Sequence, residues 1–163
     1  MNIKILSSYH GEAFKEVTKL LIDMGHDIET KRAFVVDLVI CPDYDVLLTE
    51  DELNEPQIGV LVFHPSPLPR MRGKDAIKRQ YKAGDKVGGG TWFWATSGID
   101  NGDICEQEIT IIDHSIRPRD YYTDKIIPLM VRTLERALTG ISKGNIRRVG
   151  QHINNEYTTK CEK

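Results

Sequence analysis

The spacing of apolar side chains along the first half of this chain changes between two periods, and each period predicts a different element. Residues 12–24 carry an apolar side chain at about every third or fourth position, which predicts an amphipathic helix that ends at Gly25. Residues 34–41 and 58–63 are nearly continuous apolar runs, which is typical of strands buried on both faces of a sheet. Residues 73–84 return to helical spacing. We therefore predict that strands and helices alternate here.

The second half of the chain has a pattern typical of antiparallel strands followed by a helix. Residues 91–96 and 104–112 alternate between apolar and polar positions. Residues 119–141 form the longest stretch with helical spacing, and Pro128 is expected to kink that helix. Together the two halves predict an α/β fold, with helices on both faces of one sheet. In such sheets ligands bind beyond the carboxyl ends of the strands.

Composition and charge narrow the classes of function. The 163 residues suit one domain, which we place at residues 1–163, and the net charge of −2 gives no basic field for nucleic acid. No apolar run reaches the roughly 20 residues of a membrane span. Three cysteines far apart in the sequence favour neither a disulfide framework nor a metal site, so we expect a reduced, cytoplasmic protein. The histidines lack metal-ligand spacing and no GxGxxG follows the first strand, so neither a metal nor a nicotinamide cofactor is expected.

A histidine at the end of an apolar strand is the first candidate for chemistry. His64 follows residues 58–63 and precedes three prolines, which stiffen the next loop. Asp100 lies among turn-forming residues after the strand at 91–96, so both residues follow the carboxyl end of a strand. Taken singly, the histidine is more often a capping or surface residue and the aspartate an ordinary turn residue. If the two strands are neighbours, both side chains face one crevice, and such a pair suits proton transfer and stabilisation of an oxyanion.

Three segments of the chain resemble the folate-dependent formyltransferase family. Residues 63–73 read FHPSPLPRMRG, similar to the family's HPSLLPRxRG segment. Residues 82–108 read KAGDKVGGGTWFWATSGIDNGDICEQE, similar to its NGDKxxGxxxxxxxxGxDxGxIxxQ stretch. Residues 144–160 read GNIRRVGQHINNEYTTK and resemble the closing segment, in which a glutamine precedes a threonine–tyrosine pair. The motifs are most similar to those of the hydrolase domain of 10-formyltetrahydrofolate dehydrogenase, and also resemble methionyl-tRNA and glycinamide ribonucleotide formyltransferases.

The resemblance implies a fold and a catalytic site. The fold would be a Rossmann-like, mostly parallel sheet with a shortened N-terminal half, because His64 comes earlier in this chain than is usual in the family. His64 would polarise the formyl carbonyl of 10-formyltetrahydrofolate and stabilise the oxyanion, while Asp100 would keep His64 protonated and move protons through a water. The third catalytic position, usually asparagine, is Val62 here. A side-chain donor in an oxyanion hole typically contributes about 3–4 kcal/mol, which valine cannot supply.

The resemblance also implies residues that bind the two substrates. The pterin ring would contact two loops, and the acceptor or the glutamate tail of the folate would meet the proline-rich loop. The implied residues are Leu47, Leu48, Ile99 and Asp100 for the folate, and Ser66, Arg70 and Arg72 for the substrate. Composition alone leaves other interpretations open, with the two leucines as core residues and the two arginines as solvated loop residues.

The function implied is transfer of a formyl group from 10-formyltetrahydrofolate to an amine on a small acceptor, such as a nucleotide or a sugar nucleotide. A tRNA acceptor is not expected, because no further domain follows in the sequence. Two alternatives stay open: a 10-formyltetrahydrofolate hydrolase that releases formate, and a folate-binding or partner-binding protein that has lost activity. Val62 and the shortened N-terminal half favour the latter. The oligomeric state is left open, and a homodimer is one option.

Overall fold

Six strands and five α-helices are found in the residues that the computed structural model describes, 1–28 and 35–152. The strands are β1 (Asn2–Ser7), β2 (Asp27–Ile28), β3 (Leu38–Asp43), β4 (Gly59–His64), β5 (Val87–Trp94) and β6 (Ile104–Ile111). The helices are α1 (Glu12–Asp23), α2 (Glu50–Asn54), α3 (Ala76–Ala83), α4 (Pro118–Tyr121) and α5 (Ile127–Ser142). A π-helical turn, Tyr122–Ile126, joins α4 to α5.

The strands form one mixed sheet in the order β2-β1-β3-β4-β5-β6. The first four strands in that order are parallel to their neighbours, whereas β5 is antiparallel to both β4 and β6. The predicted α/β fold is therefore confirmed, together with the change to antiparallel strands in the second half. The expected shortening between β2 and β3 falls largely on residues 29–34, which lie outside the described residues.

One face of the sheet carries the larger hydrophobic core, which α1 and α5 cover. Four neighbouring strands contribute side chains to it that have no exposed surface, among them Ile3, Leu38, Leu61 and Trp92. The Trp92 indole also donates to the carbonyl oxygen of Met130 in α5, at 3.0 Å. Burial of one such side chain contributes roughly 1.5–3 kcal/mol, so this layer fixes β4 and β5 beneath α5.

The opposite face carries a smaller hydrophobic cluster, whose buried members include Val39, Cys41 and Val60. Helix α2 lies at this cluster and begins with the predicted capping box. The Thr49 hydroxyl accepts the backbone N–H of Glu52, and the Glu52 carboxylate accepts the backbone N–H of Thr49. Because α2 has only five residues, loops close much of this face.

The strand predicted at residues 34–41 begins later than its apolar run, at Leu38. Asp37 binds Asn2 through both its backbone N–H, at 2.9 Å, and its carboxylate, at 2.7 Å. Val35 stays exposed. The position of the strand is therefore set by a polar anchor to β1 rather than by the start of the apolar run, and residue 34 lies outside the described residues.

The single helix predicted at residues 119–141 is interrupted. The π-helical turn precedes Pro128, which has no N–H to donate to the carbonyl of the preceding turn, so the backbone widens before α5 begins. The predicted irregularity near Pro128 is confirmed, although it takes the form of a wider turn. Within the ranges the structure describes, no helix combines the length and the apolarity needed to cross a membrane.

Candidate active site

His64 is the last residue of β4, and its side chain lies on the face of the sheet that α2 and the loops close. It shares that face with Val60 and Val62, because side chains alternate along a strand. The ring is buried, with 6% of the residue exposed. Its Nε2 lies 2.7 Å from the carbonyl oxygen of Met71. A carbonyl only accepts, so Nε2 carries a proton and the ring is held in one orientation.

The proline-rich loop after β4 is tied to the neighbouring strands. The Thr91 hydroxyl in β5 donates to the carbonyl oxygen of Ser66 at 2.7 Å and accepts the N–H of Leu68 at 3.1 Å. The Gln107 amide in β6 donates to the carbonyl of Leu68 at 2.9 Å. Ser66 is fully buried and its hydroxyl donates to the carbonyl of Arg70. The loop is therefore pinned by buried polar side chains as well as by its prolines.

Asp100 reaches His64 by a route that the sequence does not predict. Since β5 is antiparallel to β4, Trp94 lies opposite Leu61, and the loop after β5 starts at the far end of the sheet from His64. Residues 95–103 turn back across the face of the sheet and bring Asp100 Oδ2 to 3.3 Å from His64 Nδ1. The predicted proximity of the two side chains is confirmed. Each residue follows the carboxyl end of its strand, as expected, but because β5 is antiparallel to β4 these two ends do not lie at the same edge of the sheet.

Two residues in contact with His64 have backbone conformations that residues other than glycine normally avoid. Met71 has a φ of 57° and Asp100 a φ of 47°, in the left-handed region. Each such residue costs on the order of 1 kcal/mol and persists where its surroundings over-determine it. Asp100 Oδ2 also accepts the N–H of Gly73 at 2.6 Å, and the Met71 carbonyl also accepts from the Arg79 guanidinium at 2.9 Å. Strain of this kind is typical of functional sites.

The neighbours of His64 oppose the effect of burial on its charge. Burial lowers the pKa of His64, while the Asp100 carboxylate and the Met71 carbonyl raise it in part. Both ring nitrogens of His64 lie beside oxygen atoms that accept hydrogen bonds. A hydrogen bond between Nδ1 and Asp100 Oδ2 therefore requires a proton shared by the two atoms. Within the described ranges Asp100 Oδ1 has no hydrogen-bond partner, and 17% of the Asp100 side chain is exposed. The pair can therefore hold one proton and accept another.

Val62, which the resemblance aligns with an asparagine of the family, lies two residues before His64 on the same face. Its side chain is half-buried against the cluster of Cys41 and Val60, and it lies opposite Phe93 in β5. The two-residue spacing places it about 7 Å from His64 along the strand. Because valine has no polar group, an oxyanion formed beside His64 receives no side-chain hydrogen bond from this position.

The predicted folate-binding residues lie on the loops that follow β3 and β5. Leu47 and Ile99 are 65% and 58% exposed, and Leu48 is partly buried against the cluster around Val39. The alternative interpretation as a core residue therefore applies in part to Leu48 but not to Leu47. Contact of these residues with a folate stays a prediction.

The predicted substrate-binding residues make contacts within the protein. Arg70 pairs with Asp85, with 3.2 Å between Nε and Oδ2. Arg72 donates to the side-chain oxygen of Gln151 from Nε at 3.1 Å and from Nη2 at 2.6 Å. Ser66 is turned inward, as described above. In this conformation all three shape the loop around His64, and their contact with a substrate stays a prediction.

Two side chains at the site were missed by reasoning from the sequence. Arg79 in α3 donates to the carbonyls of Met71, Arg72 and Gly73, and so holds the loop that contacts His64. Gln151 joins the arginine of this loop to the Asp100 loop. The one available signal was the glutamine of the closing segment, which marked Gln151 as part of a motif but not as part of the site.

Replacement of Asp100 by asparagine is expected to lower the pKa of His64 further. The change keeps the shape of the side chain but removes the negative charge 3.3 Å from Nδ1, which raises the pKa of His64 in the wild type. His64 should then lose its proton at a lower pH, which NMR titration of the ring will measure. Asp103→Asn, in the same loop, is the matched control and should leave the titration unchanged. If Asp100→Asn also left it unchanged, the pair would not interact in solution.

Comparisons with known proteins identify a family and solved structures of similar fold. Residues 13–128 match the family described as formyl transferase. The chain is 32% identical over 124 residues to cytosolic 10-formyltetrahydrofolate dehydrogenase of Xenopus tropicalis, covering 76% of this chain and 14% of that protein. HypX of Aquifex aeolicus, solved in complex with tetrahydrofolic acid, has a TM-score of 0.81 at 20% identity, over 92% of this chain and 28% of that one.

A second solved structure is similar over most of both chains. The formyltransferase PseJ of Anoxybacillus kamchatkensis, in complex with UDP-4,6-dideoxy-4-formamido-L-AltNAc and tetrahydrofolate, has a TM-score of 0.76 at 19% identity, over 94% of this chain and 83% of that one. At these identities the solved structures show a shared fold. The family match extends across both His64 and Asp100. The chain belongs to the formyl transferase family.

Proposed function

We propose that residues 1–163 form a catalytic domain that transfers the formyl group of 10-formyltetrahydrofolate to an amine on a small acceptor. The observation that carries this proposal is the buried His64–Asp100 pair, with 3.3 Å between Nδ1 and Oδ2. The pair holds a proton beside a carboxylate oxygen without a partner in the described residues, and formyl transfer needs both a proton donor and a proton acceptor. The family match and the folate complex of HypX support the choice of donor.

The His64–Asp100 pair can supply and accept every proton that formyl transfer requires. The acceptor nitrogen attacks the formyl carbon, and the positive charge of the protonated His64 ring stabilises the negative charge that develops on the formyl oxygen. Asp100 Oδ1 takes the proton that the amine loses, directly or through a water. The bond from the formyl carbon to the folate N10 then breaks, and N10 takes the proton held between His64 and Asp100. One carbon–nitrogen bond forms for each one broken, and the pair ends with the one proton it began with.

The folate is proposed to bind where aliphatic side chains are exposed on the loops around the pair. Leu47 and Ile99 are exposed to an extent that the face of a flat aromatic ring would reduce, and Leu48 packs at the edge of the smaller hydrophobic cluster. Burial of apolar area contributes roughly 25 cal/mol per Å², so this contact favours the pterin over a highly charged ligand. A few polar groups in an otherwise apolar lining are typical of small-molecule sites.

The acceptor is proposed to be a nucleotide amine or an amino sugar nucleotide. PseJ, whose fold this chain shares over 94% of its length, was solved with a UDP-linked formamido sugar. The chain spans 14% of the length of the dehydrogenase it matches, so the overall reaction of that protein is not proposed here. The side chains of His64 and Asp100 are only 8% and 17% exposed, and a small acceptor can reach a pair that is this deeply buried.

Hydrolysis of 10-formyltetrahydrofolate to formate is the second candidate, and the similarity to a 10-formyltetrahydrofolate dehydrogenase favours it. Water needs no binding pocket of its own, and the same pair can take its proton. The relative that is 32% identical to this chain is a 10-formyltetrahydrofolate dehydrogenase, not an amine formyltransferase. In hydrolysis the products are tetrahydrofolate, formate and one proton.

One assay distinguishes the candidates. The purified protein is incubated with 10-formyltetrahydrofolate, with and without a panel of amino sugar nucleotides and nucleotide amines, and tetrahydrofolate, formate and formylated amine are measured. Formylated amine that depends on the acceptor supports transfer, and formate released without acceptor supports hydrolysis. If calorimetry shows that folate binds but neither product forms, the protein is a folate-binding module and the proposed activity is wrong.

Replacement of Val62 by asparagine is expected to speed formyl transfer by about tenfold. The amide would add a donor whose loss from a pre-organised oxyanion hole costs roughly 100- to 1000-fold, and the gain is smaller because the surroundings are not shaped around it. An unpaired amide at this half-buried position costs about 1–3 kcal/mol, so thermal unfolding is measured beside turnover. Val62→Leu has nearly the size of asparagine without the amide and should not be faster. Equal rates in the two variants would contradict the role of this position.

A further inference from the structure

The segment that follows α5 returns to the candidate active site. Val149 and Ile104 exchange backbone hydrogen bonds of 2.8 and 3.0 Å, which fixes this segment beside the start of β6. The Trp94 indole at the end of β5 donates to the carbonyl of Arg147 at 2.8 Å. These contacts bring Gln151 next to the loop that carries Asp100.

Gln151 uses both ends of its side-chain amide to join two loops of the site. Its oxygen accepts from Nε and Nη2 of Arg72, at 3.1 and 2.6 Å. Its nitrogen donates to the carbonyls of Asp100 and Gly102, at 2.9 and 2.8 Å. Both donor hydrogens and both lone pairs are in use, a combination that a carboxylate, an ammonium or a hydroxyl at this position would not reproduce.

Asp100 needs external support because its backbone is strained, with a φ of 47°. Its carboxylate is held by the N–H of Gly73 and by His64, whereas its carbonyl is held by Gln151. A strained residue relaxes when one of the contacts that determine it is lost. Relaxation at Asp100 would rotate the carboxylate away from His64, since the side chain and the carbonyl share one Cα.

We propose that Gln151 is a positioning residue that clamps the Asp100 loop to the loop of Arg72 and so keeps Asp100 in reach of His64. Its effect on turnover rests on the proposed function, but its effect on the geometry of the pair does not. Gln151 touches neither ring nor carboxylate of the pair and acts through the backbone of Asp100.

Gln151→Met tests the clamp, because methionine has a similar length and none of the hydrogen bonds. We expect kcat to fall roughly 10- to 100-fold, with KM for the folate changed by less than about twofold. The pKa of His64, measured by NMR titration, and the pH dependence of kcat should both shift to lower pH, toward the values of Asp100→Asn. Gln57→Met, at an exposed glutamine far along the chain, is the matched control and should change neither.

The other half of the clamp gives an independent test with a rescue. Arg72→Met removes the donors to the Gln151 oxygen and should shift the His64 titration in the same direction but less, since the bonds to Asp100 and Gly102 remain. Arg72→Lys restores one donor and should restore part of the shift. Adding Arg72→Met to Gln151→Met should have little further effect, because the two residues act through one set of contacts.

The titration is measured without substrate, so the outcomes separate the two proposals. A wild-type protein that binds folate without turnover overturns the proposed function, while a lowered pKa of His64 in Gln151→Met still supports the clamp. An unchanged titration in Gln151→Met overturns the clamp whatever the activity. A loss of activity that equals the loss of folded protein, with the titration unchanged, also overturns it, because a purely structural residue behaves in that way.

Discussion

Replacement of His64 by alanine is expected to lower turnover of 10-formyltetrahydrofolate by at least about 1000-fold. A positioned acid–base group typically contributes 10²–10⁴-fold and electrostatic stabilisation of an oxyanion about 10²–10³-fold, and the protonated ring is proposed to serve both purposes. The asparagine that would share the second role elsewhere in the family is absent, because Val62 takes its place. Formation of tetrahydrofolate in a single turnover is the measurement, since it reports the chemical step alone.

Asp100→Ala is expected to cost nearly as much as His64→Ala, and the double variant little more than either. The two groups share one proton, so removal of either ends its transfer, and effects of residues that act as a unit do not add. His26→Ala, at a histidine beside β2, serves as the control and should keep full turnover. Thermal unfolding of every variant is measured, because His64 is buried. If the two single losses multiplied in the double variant, the groups would act independently and the shared-proton mechanism would be wrong.

The chemistry of the pair was predictable from the sequence, but its geometry was not. His64 and Asp100 stand in segments that resemble motifs of the formyltransferase family, and that resemblance implied their roles. Their approach depends on residues 95–103 turning back over the sheet, which follows from the antiparallel pairing of β5 with β4. Alternation predicted antiparallel strands in this half of the chain, but it does not show which strand pairs with which, and so it does not give the path of the loop after β5.

The residues that hold the two loops of the site in place, Arg79 and Gln151, were not predicted from the sequence either. Arg79 and Gln151 bind mainly backbone carbonyls of the two loops. Every residue has a backbone carbonyl, so the sequence does not show which carbonyl a given side chain will bind. Pro128 likewise predicted an irregular helix, but the π-helical form depends on the packing of Tyr121 and Ile126, both fully buried in the core.

The return of the Asp100 loop depends on a glycine that has no room for a side chain. Gly102 is buried against the end of β5. A Cβ on this residue would overlap the carbonyl oxygen of Trp94 and lie 2.9 Å from its carbonyl carbon. The next residue, Asp103, accepts the backbone N–H of Trp94 at 2.9 Å, so the loop is fixed to the strand at the same place. The main obstacle is the backbone of Trp94, which cannot rotate away as a side chain can.

Gly102→Ala is therefore expected to displace the loop and to damage both stability and the site. Overpacking of this kind costs about 2–3 kcal/mol. For a chain of this size that lowers Tm by roughly 5–10 °C. Asp100 lies two residues away and its carbonyl shares the Gln151 amide with Gly102, so turnover per folded molecule should also fall about 100-fold.

Gly98→Ala, in the same loop, is the matched control for that change. There the atoms nearest to the added methyl group belong to the side chain of Asn101, which is exposed and can move aside at the cost of its hydrogen bond from Thr96. We expect Tm within about 2 °C of the wild type and turnover within about threefold, because the backbone that carries Asp100 stays where it is. Thermal unfolding and single-turnover kinetics of the two alanine variants, measured side by side, test whether the contact of Gly102 with the Trp94 carbonyl positions Asp100. If Gly98→Ala were as damaging as Gly102→Ala, flexibility of the whole loop rather than its contact with the Trp94 carbonyl would place Asp100 beside His64.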